Sequence, residues 1–233
     1  MSRVAILQSN YIPWVGYFEL MNSVDIFVIY DEVQYTKRDW RNRNLIKTDN
    51  GKLWLTIPCK VKGEYFQSIS DVRVSSQDWR KKHWHSLVNY YRKSKFFDSY
   101  KDIFQQIYYQ NNHELLTEIN ISFINEIKNI LGIKTKLINS SEIPKKLEPY
   151  KNPTTRLMEI CKALNAISYT SGPAAKKYFD IDLAKSNKID LIWFEYKKYE
   201  EYKQVYQPFI KNLSIVDLIF NIGNDAKKYV NTA

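Results

Sequence analysis

Between residues 31 and 47 the chain reads Asp31-Glu-Val-Gln-Tyr-Thr-Lys-Arg-Asp-Trp-Arg-Asn-Arg-Asn44 and then reaches Lys47. Lys37, Arg38, Arg41, Arg43 and Lys47 are thereby interleaved with Tyr35 and Trp40. Arginine forks match phosphate oxygens in a bidentate way, and aromatic rings offer faces to a base or a sugar. The segment predicts a pocket for a diphosphate, with Gln34, Tyr35, Lys37, Arg38, Asn42 and Arg43 as candidate binding residues. A solvated basic loop would have the same composition. The position directly after the apolar run Asp25-Ile-Phe-Val-Ile-Tyr30 favours a pocket, because sites gather where buried strands end. Asp31, at that strand end, is a candidate general base.

A second polar cluster opens the chain, Gln8-Ser-Asn-Tyr-Ile-Pro-Trp-Val-Gly-Tyr17. Gln8 and Asn10 can offer amide hydrogen bonds, Tyr11 a hydroxyl, and Trp14 or Tyr17 a stacking face. His83 and His85 stand at i and i+2, which do not share a helical face and make a poor metal pair. His83 is a second candidate base, since imidazole titrates near neutrality, although a structural histidine fits the same residues. Ser171-Gly172-Pro173 sits at a strand-to-helix junction, where backbone amides can face an anion. No Gly-x-Ser-x-Gly elbow, Walker loop or paired-glycine dinucleotide fingerprint occurs, so no cofactor is expected.

Positioning these residues needs a sheet. Residues 3–7 and 25–30 read as strands around a helix from Trp14 to Ser23, a βαβ unit that predicts parallel pairing. Leu53–Pro58 and Ile69–Val74 read as further strands after the turn Asp49-Asn50-Gly51. Residues 79–131 lack proline, lack glycine until Gly132 and repeat apolar residues at helical spacing, which predicts helices broken near 93–99 and 111–112. Strands at 135–138, 167–170 and 189–196 and helices at 156–164, 174–179 and 215–222 complete the reading. The expected fold class is α/β: a Rossmann-like, mostly parallel sheet in the N-terminal part, a helical middle and further α/β elements toward the C-terminus. One domain spanning 1–233 is expected, with the polar, three-proline stretch 139–153 as a hinge or lid.

With 6 Trp, 18 Tyr and 11 Phe the chain is too aromatic to be disordered, and a net charge of +10 suits an anionic partner. No apolar run is long enough to cross a bilayer and no signal peptide precedes the first strand, so a cytoplasmic protein without membrane insertion is expected. The basic residues cluster in one loop and no nucleic-acid motif is present, so no nucleic-acid partner is expected. Cys59 and Cys161 are far apart and read as buried small hydrophobes.

The ordered patterns Gln8 to Phe18, Asp31 to Tyr35, Asn42 to Asn44, Trp79 to His83, Ser140-Ser-Glu, Tyr169-Thr-Ser-Gly-Pro173, Tyr206-Gln-Pro-Phe209 and Leu213 to Gly223 resemble the WbqC-like family of bacterial proteins. The resemblance runs from residue 3 to about 223, with Tyr169-Thr-Ser in place of the usual Tyr-Leu-Ser. It implies a role in O-antigen or capsule biosynthesis and transfer of an acyl or aminoacyl group, such as glycine, to an amino sugar. The expected partners are a nucleotide-diphosphate amino sugar and an acidic acyl carrier protein bearing the donor as a thioester. Ser171 and Gly172 would steady an anion in that scheme. The opening loop is also similar in spacing to the His-x-Gly-His turn of nucleotidyltransferases, but Trp14-Val-Gly-Tyr17 lacks its imidazoles. Adenylyl transfer and a noncatalytic sugar-binding or scaffold role are the alternative readings.

Overall fold

The computed structural model describes residues 2–144 and 152–231. Five strands form one parallel sheet: β1 (Ser2–Leu7), β2 (Ile26–Ile29), β5 (Lys136–Asn139), β6 (Ala166–Ser171) and β7 (Asp190–Trp193), with β3 and β4 kept for a separate hairpin. Their order is β5-β2-β1-β6-β7. The helix α1 (Val15–Asn22) connects β1 to β2, so the predicted βαβ unit is formed, with Val4 opposite Ile26 and Leu7 opposite Ile29. The chain first builds outward from β1 through β2 to β5. It then returns to the other side of β1 with β6 and β7. The order therefore reverses between β1 and β6, and a crevice opens outside the carboxyl ends of strands at such a point.

Both faces of the sheet are covered. Along β1, Val4 and Ile6 point into one core with Met158, Ile160 and Cys161, while Ala5 points into the other. In β2, Phe27 and Ile29 join the larger core and Val28 the smaller. Alternate side chains thus meet two apolar layers, which explains why both strands read as uninterrupted apolar runs. The smaller core is closed by α5 (Pro153–Ala163) and α6 (Ile181–Ser186). The larger one holds α1, α2 (Trp79–Tyr91), α3 (Phe97–Gln110), α4 (Leu116–Ile130), α7 (Ile215–Ile222) and α8 (Ala226–Val230). Asn152 caps α5 by accepting from the Thr154 amide, with Pro153 in the first turn, so the helix begins three residues before the expected 156. No helix among the described residues is long and apolar enough to cross a membrane.

The predicted helical middle is three helices, and its breaks fall where the apolar spacing lapses. The strands β3 (Arg43–Thr48) and β4 (Gly51–Thr56) form an antiparallel hairpin closed at Asp49-Asn50, with Gly51 at a φ of +118° that few other residues adopt. Two expectations are corrected. Ile69–Val74 is not a strand: Ile69–Asp71 is a 3-10 turn, followed by an isolated bridge from Val74 to Cys59. Ile69 and Val72 both point inward, three residues apart, and the Ser68 hydroxyl donating to Asp71 holds the turn. The predicted helix 174–179 is a 3-10 turn, Pro173–Lys177. The centre of the stretch expected to be a hinge or lid, residues 145–151, lies outside the described residues.

Candidate functional site

At the reversal between β1 and β6 lies a cavity of about 680 Å³. Gln8 and Asn10, just beyond β1, form one wall, and Ser171 to Ala175, just beyond β6, form the other. Tyr30, Tyr169, Tyr178 and Tyr196 surround them, and Pro153 and Leu157 of α5 close the end. Among the described residues Arg41 is the one charged side chain of this lining. Its guanidinium donates to the Asn10 side-chain oxygen (3.0 Å) and to that of Gln8 (2.9 Å). Both amide oxygens are thus fixed by the one guanidinium. An aromatic cavity with two oriented amides and one cation suits a sugar ring joined to a phosphate.

The opening loop is built by contacts from distant segments. The Asn44 side chain donates to the backbone carbonyls of Tyr11 and Ile12, and the Ser214 hydroxyl donates to the Ile12 carbonyl. Ile12 is held at a φ of +37°, a conformation that a β-branched residue rarely takes. Asp31 accepts from the Ser9 amide (2.8 Å) and the Thr117 hydroxyl (2.5 Å). Burial raises its pKa above the ordinary carboxylate value, opposed by those hydrogen bonds and by Arg41. Asp31 is 4% exposed and absent from the cavity lining, so it positions the Ser9–Asn10 turn.

Of the residues singled out in the sequence, Gln8, Asn10, Ser171 and Gly172 meet at this cavity. Tyr17 is in the core, its hydroxyl donating to the Gln8 carbonyl. Tyr11 and His83 lie in a buried aromatic cluster with Trp79 and Tyr108, where the Tyr11 hydroxyl is 2.9 Å from His83 Nδ1. Burial pushes His83 down to about 4, so it is neutral and away from the cavity. Asn42 is buried and donates to the Ile57 carbonyl. Tyr35 is buried, and Gln34 donates to the Tyr65 carbonyl. Lys37, Arg38 and Arg43 do not reach the lining: Lys37 stands over the Tyr65 ring and Arg43 over the Trp54 ring, 4.0 Å from its centroid. Lys47 is buried, and its ammonium donates to the Pro208 carbonyl. The basic segment therefore contributes Arg41 alone. The 3-10 turn after Ser171 has a proline in its first position, which has no N–H, so fewer amides face the cavity there than a helix would present.

Two further cavities adjoin this one in sequence. Trp14, Trp40, Asn10 and Asn212 line a notch of about 300 Å³, which shares Asn10 with the crevice. A groove of about 680 Å³ shares Trp14 and Asn212 with the notch and is lined further by Tyr199, Tyr202, Phe209 and Leu218. The Trp14 ring packs on Tyr196 and Tyr199, with centroids 5.1 and 5.8 Å away. Gly16 makes room for it: a Cβ there would stand 2.4 Å from the indole. Gly16→Ala is expected to push the ring aside and cost about 1–3 kcal/mol, read by thermal melting together with a change in tryptophan fluorescence. Among the described residues no group of three or more His, Cys, Asp or Glu is placed to hold a metal ion.

Sequence reasoning missed Arg41 as the cation of the site, along with Tyr30, Tyr178 and Tyr196. Tyr169 and Tyr178 lie in or beside the Tyr169–Pro173 motif, which was the available signal. Compared with known proteins, residues 8–229 match the WbqC-like protein family. The chain is 43% identical over 230 residues to "Uncharacterized protein Rv1507c" of Mycobacterium tuberculosis, covering 99% of this chain and 98% of that one. No solved structure matches it.

Proposed function

The chain belongs to the WbqC-like protein family, which is associated with O-antigen and amino-sugar biosynthesis clusters, and from that premise we propose that it is a transferase acting on a nucleotide-linked amino sugar. The observation that carries the reading is the tyrosine-lined crevice at the strand-order reversal, with Gln8 and Asn10 oriented by Arg41. The sugar lies among the tyrosines and its phosphate meets Arg41. The groove beside Trp14 takes the acyl or aminoacyl donor, a thioester on a carrier, and the notch at Asn10 is where the two substrates meet. A two-substrate transfer needs two binding spaces that adjoin, and the crevice, notch and groove supply them. In the reaction the free amine of the sugar attacks the thioester carbonyl. A C–N bond forms, the C–S bond breaks, and the amine proton leaves with the carrier thiol.

The test is titration calorimetry with UDP-, dTDP-, GDP- and CDP-linked amino sugars, followed by carrier-thiol release with the sugar that binds. Arg41→Ala removes a charged hydrogen bond worth about 1.5–3 kcal/mol, so affinity is expected to fall by roughly 10- to 150-fold. Arg43→Ala, which alters the Trp54 stack outside the crevice, is expected to leave affinity unchanged. An Arg41→Ala variant that binds as well as the wild type removes the phosphate from this crevice. Binding without thiol release leaves a sugar-binding protein in place of the transferase.

A further inference from the structure

Apart from Arg41, the basic segment stays outside the crevice, and it stands beside four exposed aromatic side chains. Phe66 is 88% exposed and Tyr65 64%, while Trp40 and Trp54 are each about two-fifths exposed with ring centroids 5.6 Å apart. Cations stand against this group: Lys37 over the Tyr65 ring and Arg43 over the Trp54 ring. Three residues of chain, a span of at most about 10 Å, join Lys37 to Trp40, so the cation over Tyr65 and one ring of the Trp40–Trp54 pair belong to one short stretch of chain.

The Tyr65–Phe66 tip is built to project. Its turn places Gly63 at a φ of +84°. The Gln34 side chain donates to the Tyr65 carbonyl (3.0 Å), the Tyr35 amide to the Gln67 carbonyl (3.0 Å), and the Gln67 side chain to the Lys60 carbonyl (2.9 Å). These bonds hold both arms of the loop, so the two rings are presented on an ordered base. Lys60 and Lys62 precede them, with Glu64 between Lys62 and Tyr65. Single exposed apolar residues are ordinary on protein surfaces, but two adjacent exposed aromatics on an ordered loop with lysines beside them have the composition of segments that rest at a bilayer interface.

We propose that this face docks on an anionic lipid bilayer, with Phe66 and Tyr65 at the headgroup level and the surrounding lysines and arginines against lipid phosphates. Tyr, Trp and Lys suit the interface because each has an apolar body and a polar or charged tip. The face adjoins the crevice, since Val33 lines the cavity and its carbonyl accepts from the Ile69 amide at the base of the loop. The inference does not rest on the transfer reaction, and crevice binding is a separate readout.

The experiment is sedimentation of the full chain with vesicles of phosphatidylcholine alone and of phosphatidylcholine mixed equally with phosphatidylglycerol, at low and high salt. Sedimentation with the anionic vesicles, weakened by salt, is expected. Tyr65→Ser with Phe66→Ser is expected to reduce partitioning at least about tenfold, and Lys62→Ser about fivefold, while both variants melt as the wild type does. Absence of sedimentation, equal binding to the neutral vesicles, or binding indifferent to the aromatic substitutions overturns the proposal. Capture of an acidic carrier protein or an oligonucleotide in place of vesicles, lost in the same variant, assigns the face to that partner and also overturns it.

Discussion

Replacing Arg156 by alanine is expected to cost about 3–5 kcal/mol of stability, the range for removing one partner of a buried ion pair. The side chain is 1% exposed and reaches from α5 to the segment following β5. One guanidinium nitrogen donates to the carbonyls of Ser140 (3.1 Å) and Ile143 (2.8 Å) and to Glu32 (3.2 Å). The other donates to the Pro144 carbonyl (3.1 Å) and lies 3.5 Å from Glu159. Alanine leaves these carbonyls short of a donor and two largely buried carboxylates without their shared cation. For a chain of this length the loss corresponds to a fall of roughly 6–20 °C in Tm, measured by calorimetry with urea unfolding as a check. Glu32→Gln in the alanine background should recover part of it, because a largely buried carboxylate that has lost the Arg156 cation becomes a neutral amide; no recovery would mean that the lost carbonyl contacts dominate. Since Pro153 and Leu157 of the same helix close one end of the crevice, ligand affinity should weaken in parallel.

The parts of the fold legible in the sequence are those whose signal is local. β1, α1 and β2 follow each other within thirty residues, and each is bounded by polar or turn residues. The breaks between α2, α3 and α4 follow lapses in apolar spacing, and α7 has both its Ser214 cap and its apolar face in one short stretch. The order of the sheet was not legible: β5 pairs with β2 across more than a hundred residues that hold a hairpin and three helices. The same distance hid the roles of polar residues. Asn42, Asn44 and Lys47 have the composition of a ligand site, yet their side chains are taken by the carbonyls of Ile57, of Tyr11 and Ile12, and of Pro208. Asp217 likewise accepts from Tyr91, Tyr202 and Gln204, joining α7 to α2 and to the 202–210 loop. Residue type shows that a side chain can bind. Only its long-range partners show whether it is already bound. Arg41 escaped notice among five cations because nothing local separates it from Arg38 or Arg43; the neighbouring loop that it clamps does.

Protein stability is expected to depend on His83 in acid, by about 3 kcal/mol between its ordinary pKa of 6.5 and its folded value of about 4. The ring is buried among Tyr11, Trp79 and Tyr108, with the Thr56 backbone carbonyl facing it. A chain in which Tyr108 donates to Tyr11, Tyr11 donates to Nδ1 and Nε2–H faces Thr56 satisfies every group with a neutral ring. A proton added to Nδ1 would break that chain in a place that water does not reach. Between pH 6.5 and 4 the unfolded chain binds the proton and the folded chain does not, so this contribution is complete above 6.5 and is lost as the pH falls toward 4. The buried carboxyls Asp31 and Asp217 act in the opposite sense. Their folded pKa values are raised by burial, so their contribution falls as the pH rises from the ordinary carboxylate value through the raised one. The overall curve mixes these terms, and the histidine is isolated by difference. His83→Gln, which cannot titrate, should show a shallower fall in Tm below pH 6.5 than the wild type, while Asp31→Asn should leave that fall in place. Parallel curves for wild type and His83→Gln would mean that the imidazole is charged in the folded protein, and would reopen the assignment of His83 to the buried cluster in place of the reacting site.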